Sequence, residues 1–189
     1  MESLDAFTQP ASELLSVPRS TSGLNLSSGD DPGSFSRSLA NLEAKLASES
    51  KRVRLLLVED NPADVNLVRE ALAEHHVDCD LLVISDGETA IRFVDRLDEE
   101  ETRCVDLVVL DLNLPRRTGR EVLERVRASS ACGNVPVMIL SSSGAARDVK
   151  ETIQLGARRY VRKPVALEDF MKIGGVIKEL LSEATQEQP

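Results

Sequence analysis

Tryptophan is absent from this chain, tyrosine occurs once and phenylalanine four times. So few aromatics exclude the stacking platforms on which single-strand nucleic-acid binders hold bases. Positive charge is also short. With 23 basic against 32 acidic residues the formal charge is −9, and such a surface repels nucleic acid and anionic lipid. Local basic groups occur at Arg116, Arg117 and Arg120 and at Arg158, Arg159, Arg162 and Lys163, without a series of aromatics to accompany them. No uninterrupted apolar run approaches the roughly 18 to 20 residues that a membrane span requires. The opening MESLDAFTQP places Glu2 and Asp5 where a secretory signal carries basic residues. A cytoplasmic protein that binds neither membrane nor nucleic acid is expected. Cysteine is scarce as well: Cys79, Cys104 and Cys132 are an odd number with no close pair. Reduced thiols that fill space are expected, and neither a disulfide framework nor a zinc site.

The 189 residues are 41% hydrophobic and 29% charged, enough for one soluble domain and an extension. The extension comes first. Residues 8–36 are crowded with Ser, Gly, Pro and Thr and have no sustained period, so residues 1–50 read as a flexible tail. Within it Leu39, Leu42 and Leu46, with Ser38 as a cap, allow a short helix over 38–48.

From Lys51 short apolar strands alternate with amphipathic helices. VRLLLV (Val53 to Val58) is a nearly continuous apolar run, the pattern of a buried parallel strand. Strands are also expected at Cys79 to Ser85, Val105 to Asp111, Val135 to Leu140 and Ala157 to Val161. Between and after them lie helices at Pro62 to His75, Gly87 to about Glu99, about Thr118 to Ala128, around Ala145 to Leu155, and about Leu167 to Leu181. Pro62 sits where its missing N–H costs least, and Gly156 can end its helix in the left-handed region. Strict alternation of five strands and five helices implies an α/β fold: a parallel sheet covered on both faces by right-handed crossovers. The domain is expected over 51–182, with a short C-terminal tail at 183–189.

In such sheets chemistry gathers beyond the C-terminal ends of the strands. Glu59 and Asp60 follow the first strand, Asp111 ends the third, Ser141 follows the fourth, and Lys163 lies two residues past the fifth. Taken alone, each acid reads equally as a turn or cap residue, Ser141 as a turn residue, and Lys163 as a loop charge. Together they form a set. Three carboxylates in one crevice repel one another, and a hard cation such as Mg²⁺ relieves that repulsion with oxygen ligands. The inventory fits phosphoryl transfer onto a carboxylate: Asp111 as nucleophile, with Mg²⁺ and Lys163 stabilising the transferring oxygens. No general base is needed, because a carboxylate is already ionised near neutral pH. His75 and His76 fall near a helix terminus, away from the strand ends.

LLLVEDN (Leu55 to Asn61), VVLDLNLP (Val108 to Pro115), Gly119, PVMILS (Pro136 to Ser141) and LGARRYVRKP (Leu155 to Pro164) closely resemble the receiver domains of two-component response regulators. The resemblance spans roughly Arg52 to Leu181. NPAD and DLNLPRRTG are most similar to the branch paired with bacterial phytochromes. The family implies a (βα)5 flavodoxin-like sandwich in which Asp111 is phosphorylated. It implies that Asp60 binds the metal directly, that Glu59 acts through water, and that Asn113 contributes its backbone carbonyl. Lys163 resembles the lysine that contacts the phosphoryl group, ahead of a proline, Pro164, whose peptide bond is typically cis in the family. Ser141 and Tyr160 resemble the switch pair, Ser standing where Thr is commoner; outside the resemblance Tyr160 reads as a partly buried strand aromatic. Glu59 stands where Asp is more frequent.

The implied function is that of a single-domain response regulator. It takes a phosphoryl group from a sensor histidine kinase, bacteriophytochromes included, or from a histidine phosphotransfer protein, and signals through phosphorylation-dependent contact with a downstream protein. No turnover enzyme and no DNA-binding output module is expected after Leu181. A different class of function is a constitutive adaptor that keeps the fold without regular phosphorylation. Finally, Leu167, Phe170, Gly174, Ile177 and Leu181 form one stripe of the last helix, widened by Ile173, Val176 and Leu180. The breadth of that surface and the Gly174–Gly175 pair lead to the expectation of a homodimer through this helix and its neighbouring surface, the alternative being a broad apolar face covered by the domain and the Leu39 to Leu46 segment.

Overall fold

A computed structural model describes residues 52–186. The expected tail and its 38–48 helix lie outside the described residues, as do residues 187–189. Strands β1 (Val53–Val58), β2 (Cys79–Ile84), β3 (Leu107–Leu110), β4 (Val137–Ser141) and β5 (Arg159–Arg162) alternate with helices. The helices are α1 (Pro62–Glu74), α2 (Gly87–Glu99), α3 (Gly119–Arg127), α4 (Ala146–Gln154), α5 (Leu167–Met171) and α6 (Ile173–Gln186). All pairings are parallel, in the order β2-β1-β3-β4-β5. The sequence order reverses between β1 and β3, so the crevice of the fold opens beyond their C-terminal ends.

Side chains alternate across the sheet with the period of two that a strand imposes. Leu56, Val58, Val108, Leu110, Val137 and Ile139 face one way and meet Ala90 and Val94 of α2 and Val122, Leu123 and Val126 of α3. Leu55, Leu57, Leu107, Val109, Met138 and Leu140 face the other way and meet Val68 and Leu72 of α1, Phe170 of α5, and Ile173, Ile177 and Leu180 of α6. Two apolar layers therefore clamp one sheet, and the central strands are buried on both faces. Helix starts follow local chemistry. Asn61 accepts from Ala63 N ahead of Pro62, Asp86 caps α2, and Thr118 and Glu121 form a reciprocal capping box at α3. Gly156 has φ of +96° after α4, in the left-handed region expected there.

Several expectations change. The last helix is not continuous from 167 to 181: it breaks at Lys172, and its second part runs to Gln186, so residues 183–186 belong to the domain. Among the described residues every peptide bond is trans, that before Pro164 included, whereas the resemblance implied cis; proline's trans preference is only about 0.5–1 kcal/mol. The apolar breadth of the last helix is used inside the domain. Phe170, Ile173, Ile177 and Leu180 are buried, and a Cβ at Gly174 would lie 2.1 Å from the Ala71 carbonyl oxygen. The glycine exists because α6 rests directly on α1. The close approach at Gly174 is thus made within one chain, and it bears on how the helix packs, not on whether two chains associate.

Cys104 and Cys132 form a disulfide, with Cα atoms 5.2 Å apart, and Cys79 alone is a free thiol. This corrects the expectation of three reduced thiols. The two residues are separated by 28 positions, but each lies in the loop that feeds one of the neighbouring strands β3 and β4. Asp98, near the C-terminal end of α2, ties that helix to α3 and to the loop before β4. Its carboxylate accepts from Ser129 Oγ at 2.6 Å, Ala131 N at 2.9 Å, Arg125 Nη2 at 2.6 Å and Ser130 Oγ at 3.0 Å. These bonds, that from Ser129 foremost, hold it well below the usual carboxylate range.

Two outcomes follow from this packing. Gly174→Ala should lower stability by about 2 kcal/mol through overpacking against α1, read as a fall in the urea midpoint with an unchanged slope. Reduction of the disulfide should remove about 3.6 kcal/mol on the chain-entropy account of a loop this long; unfolding with and without dithiothreitol measures it, and a Cys104→Ser, Cys132→Ser double variant should not respond to the reductant.

Candidate functional site

Backbone hydrogen bonds carry the parallel ladder past the ends of the strands and place the acids. Glu59 N donates to Ile84 O at 2.9 Å, and Asp111 N donates to Val58 O at 3.0 Å. Asp111 is thereby held beside the end of β1, next to Glu59. On the other side Lys163 N donates to Ser141 O at 2.9 Å, which ties the residue after β5 to the end of β4. Gly119 lets the loop after Asp111 close tightly: a Cβ there would lie 1.9 Å from the Asp111 carbonyl oxygen. The start of α3 and the nucleophile loop are thus in direct backbone contact.

The side chains converge as the strand-end argument requires. Ligand oxygens of Glu59, Asp60 and Asp111 lie within 4.8 Å of one another. Glu59 and Asp111 are buried, with 2% and 4% exposure, while Asp60 is exposed. Lys163 Nζ donates to Glu59 Oε2 at 2.7 Å, Asp111 Oδ2 at 2.8 Å and Asp64 Oδ2 at 2.8 Å. All three ammonium protons are used. Burial opposes the charge on Lys163, but its bonds to Asp111, Asp64 and Glu59 outweigh that and hold it above the ordinary lysine range. Burial pushes the Glu59 carboxyl up, against the pull of Lys163.

The remaining predicted residues are positioned less directly. Asn113 N donates to Asp111 Oδ1 at 3.1 Å, and Asn113 Nδ2 reaches Ser142 Oγ at 3.4 Å. Ser141 is fully buried, its hydroxyl accepting from Ser143 N at 3.4 Å. Tyr160 packs against the apolar layer beneath α2 and α3 and donates its hydroxyl proton to Ser143 O at 2.9 Å. Ser141 and Tyr160 are therefore linked through the loop that follows β4, and no direct bond joins Ser141 to Asp111.

Sequence reasoning missed Asp64. Its signal was present in NPAD: the third residue of a helix that begins four residues after a strand end lies over the same crevice as that strand's acids. Four carboxylates now stand against one ammonium, an excess of three negative charges. Hard oxygen donors in this number suit a divalent cation, and Lys163 already supplies part of the counter-charge such an ion would complete. Glu59, Asp60 and Asp111 are the side chains that could hold it.

A model of the response regulator receiver domain matches residues 55–173. Response regulator Rcp1 of Synechocystis is 36% identical over 120 residues, 63% of this chain and 82% of Rcp1. Its Mn²⁺-bound crystal structure superposes with a TM-score of 0.61 at 34% identity, covering 67% of this chain and 92% of that one. The phosphorylated cyanobacterial phytochrome response regulator RcpA superposes with a TM-score of 0.63 at 32% identity, covering 70% of this chain and 95% of that one. Among the described residues no helix is long and apolar enough to cross a membrane.

The charge arrangement has a measurable consequence. Lys163→Met leaves buried Glu59 and Asp111 without their counter-charge, which should cost about 3 kcal/mol in EDTA. Saturating Mg²⁺ should recover much of that loss, because the ion replaces the missing positive charge; equal destabilisation in EDTA and Mg²⁺ would contradict the account.

Proposed function

Because this chain belongs to the response regulator receiver domain family, we propose that Asp111 accepts a phosphoryl group from a phosphohistidine donor and that the resulting rearrangement alters a protein-binding surface. The observation that carries this reading is the ammonium of Lys163, bonded to Asp111 and Glu59 beside the acidic cluster. Glu59, Asp60 and Asp111, with the backbone carbonyl of Asn113, would hold Mg²⁺, and the Mn²⁺ found in Rcp1 supports a divalent ion here. When bound, that ion would neutralise charge on the phosphoryl oxygens.

The chemistry asks little of the protein beyond positioning. An Asp111 carboxylate oxygen attacks phosphorus as the phosphorus–nitrogen bond of the donor breaks. The bonding pair returns to the imidazole nitrogen, and the imidazole leaves neutral with its proton on the other nitrogen. Lys163 stabilises the equatorial oxygens during this in-line displacement. Asn113, through its backbone N–H, holds the Asp111 carboxylate in one orientation. Later hydrolysis of the acyl phosphate regenerates Asp111, so each cycle modifies the protein itself rather than a diffusing substrate.

Ser141 and Tyr160 then supply the readout. Attraction of the Ser141 hydroxyl toward the phosphoryl group would disturb its bond to Ser143, and Ser143 O is the acceptor that holds the Tyr160 hydroxyl. Phosphorylation thereby shifts a two-state equilibrium whose visible end is the β5 surface. RcpA is a phytochrome response regulator, and this supports a sensor histidine kinase of the phytochrome class as donor, directly or through a phosphotransfer protein, with a downstream protein as reader. A homodimer is not needed for any step.

Asp111→Asn should abolish labelling by the phosphohistidine donor and by acetyl phosphate, while leaving the cooperative unfolding transition in place. Wild-type labelling should disappear in EDTA. Stoichiometric labelling of the variant at another residue overturns the assignment, and unlabelled wild-type protein in Mg²⁺ would favour the constitutive adaptor.

A further inference from the structure

Asp64 belongs neither to the metal cluster nor to the switch pair, yet it makes one of the three bonds to Lys163. Its carboxylate lies in the first turn of α1, with 19% side-chain exposure, 2.8 Å from an ammonium whose own side chain is 11% exposed. The other two acceptors, Glu59 and Asp111, are members of the group whose oxygens converge within 4.8 Å; Asp64 is not. The three bonds therefore differ in permanence. A divalent ion at the cluster draws on the same carboxylates that hold Lys163 and repels the ammonium. Phosphorylation further converts one Asp111 oxygen into an acyl-phosphate bridge, a weaker acceptor than a carboxylate. Asp64 keeps its full charge through both events.

We propose that Asp64 is the positioning residue for Lys163, retaining the ammonium over the crevice when a divalent ion and a phosphoryl group have claimed Glu59 and Asp111. Two N–H groups of Lys163 are then free to turn to phosphoryl oxygens while the third stays on Asp64. This deepens the reading of Asp111 as phospho-acceptor and rests on it for its purpose, although the retention of Lys163 is a separate physical property. A purely structural role is the alternative: an acid in the first turn favours the helix N-terminus by its charge alone.

The test reads Lys163 itself. Reductive methylation of its amine by formaldehyde and cyanoborohydride, quantified by peptide mass spectrometry, is compared in wild type, Asp64→Ala, Asp64→Asn and the Ala63→Asp, Asp64→Ala double variant. In EDTA, where Glu59 and Asp111 still hold the ammonium, Asp64→Ala should change the rate by no more than about threefold. In saturating Mg²⁺ it should raise the rate about tenfold, the effect of losing one charge-assisted bond. Asp64→Asn, which keeps an acceptor oxygen, should fall between. The double variant restores an acid to the first turn away from Lys163 and should remain as reactive as Asp64→Ala. Equal reactivity of wild type and Asp64→Ala in Mg²⁺, or restored protection in the double variant, overturns the proposal. Acetyl phosphate labelling in parallel keeps the two readings apart: an unlabelled wild type would sink the phospho-acceptor assignment, whereas the methylation rates decide on Asp64 whatever that result. If both hold, labelling of Asp64→Ala at saturating Mg²⁺ should be about tenfold slower than wild type.

Discussion

One ammonium among three carboxylates is the constraint on which the functional end of this protein depends. Glu59 and Asp111 are almost wholly buried, and burying two like charges side by side is costly unless a positive group meets both. Lys163 does so, and it can because its backbone is tied to β4 while Asp111 is tied to β1. The ladder bonds bring residues separated by 52 and 104 positions to one ammonium. A charge held by three partners is also one that can exchange them. That property suits a site whose charge changes when an ion or a phosphoryl group arrives.

The opposite end of the sheet is built differently. There Asp98 collects four hydrogen bonds from the turn before β4 and from α3, and the Cys104–Cys132 bond joins the loops entering β3 and β4. Arg127 adds bonds to the carbonyls of Gly133, Val135 and Gly156. Between the two ends lie the apolar layers, in which α6 presses against α1 closely enough that Gly174 has no room for a side chain. Since α1 also carries Asp64, its rigid seating on α6 helps to fix that carboxylate relative to Lys163.

The parallel sheet was legible because it repeats a local pattern: apolar runs such as VRLLLV buried on both faces, each followed by an amphipathic helix. The acidic set was legible because strand ends mark a known place in that architecture, so Glu59, Asp60, Asp111 and Lys163 could be grouped before any distance was known. Asp64 was not singled out, since helical position three reads equally well as a favourable charge at a helix start. The glycines of the last helix were noticed but their neighbour was not: the sequence pattern says that something approaches closely, without saying whether it is a neighbouring helix or a second chain. The break at Lys172 was hidden for a related reason, because apolar spacing continues across it.

By itself, then, the sequence determined the order of elements, the two-sided burial of the strands, and the residue types available at the carboxyl edge. These are consequences of local periodicity and of where each strand stops. Only the tertiary structure decided which partners those residues take. It set the order β2-β1-β3-β4-β5, paired Cys104 with Cys132, seated Gly174 on Ala71, and gave Lys163 a third carboxylate. Each of these joins groups far apart in the chain, and a contact between distant residues depends on how layers pack rather than on what stands next to each residue.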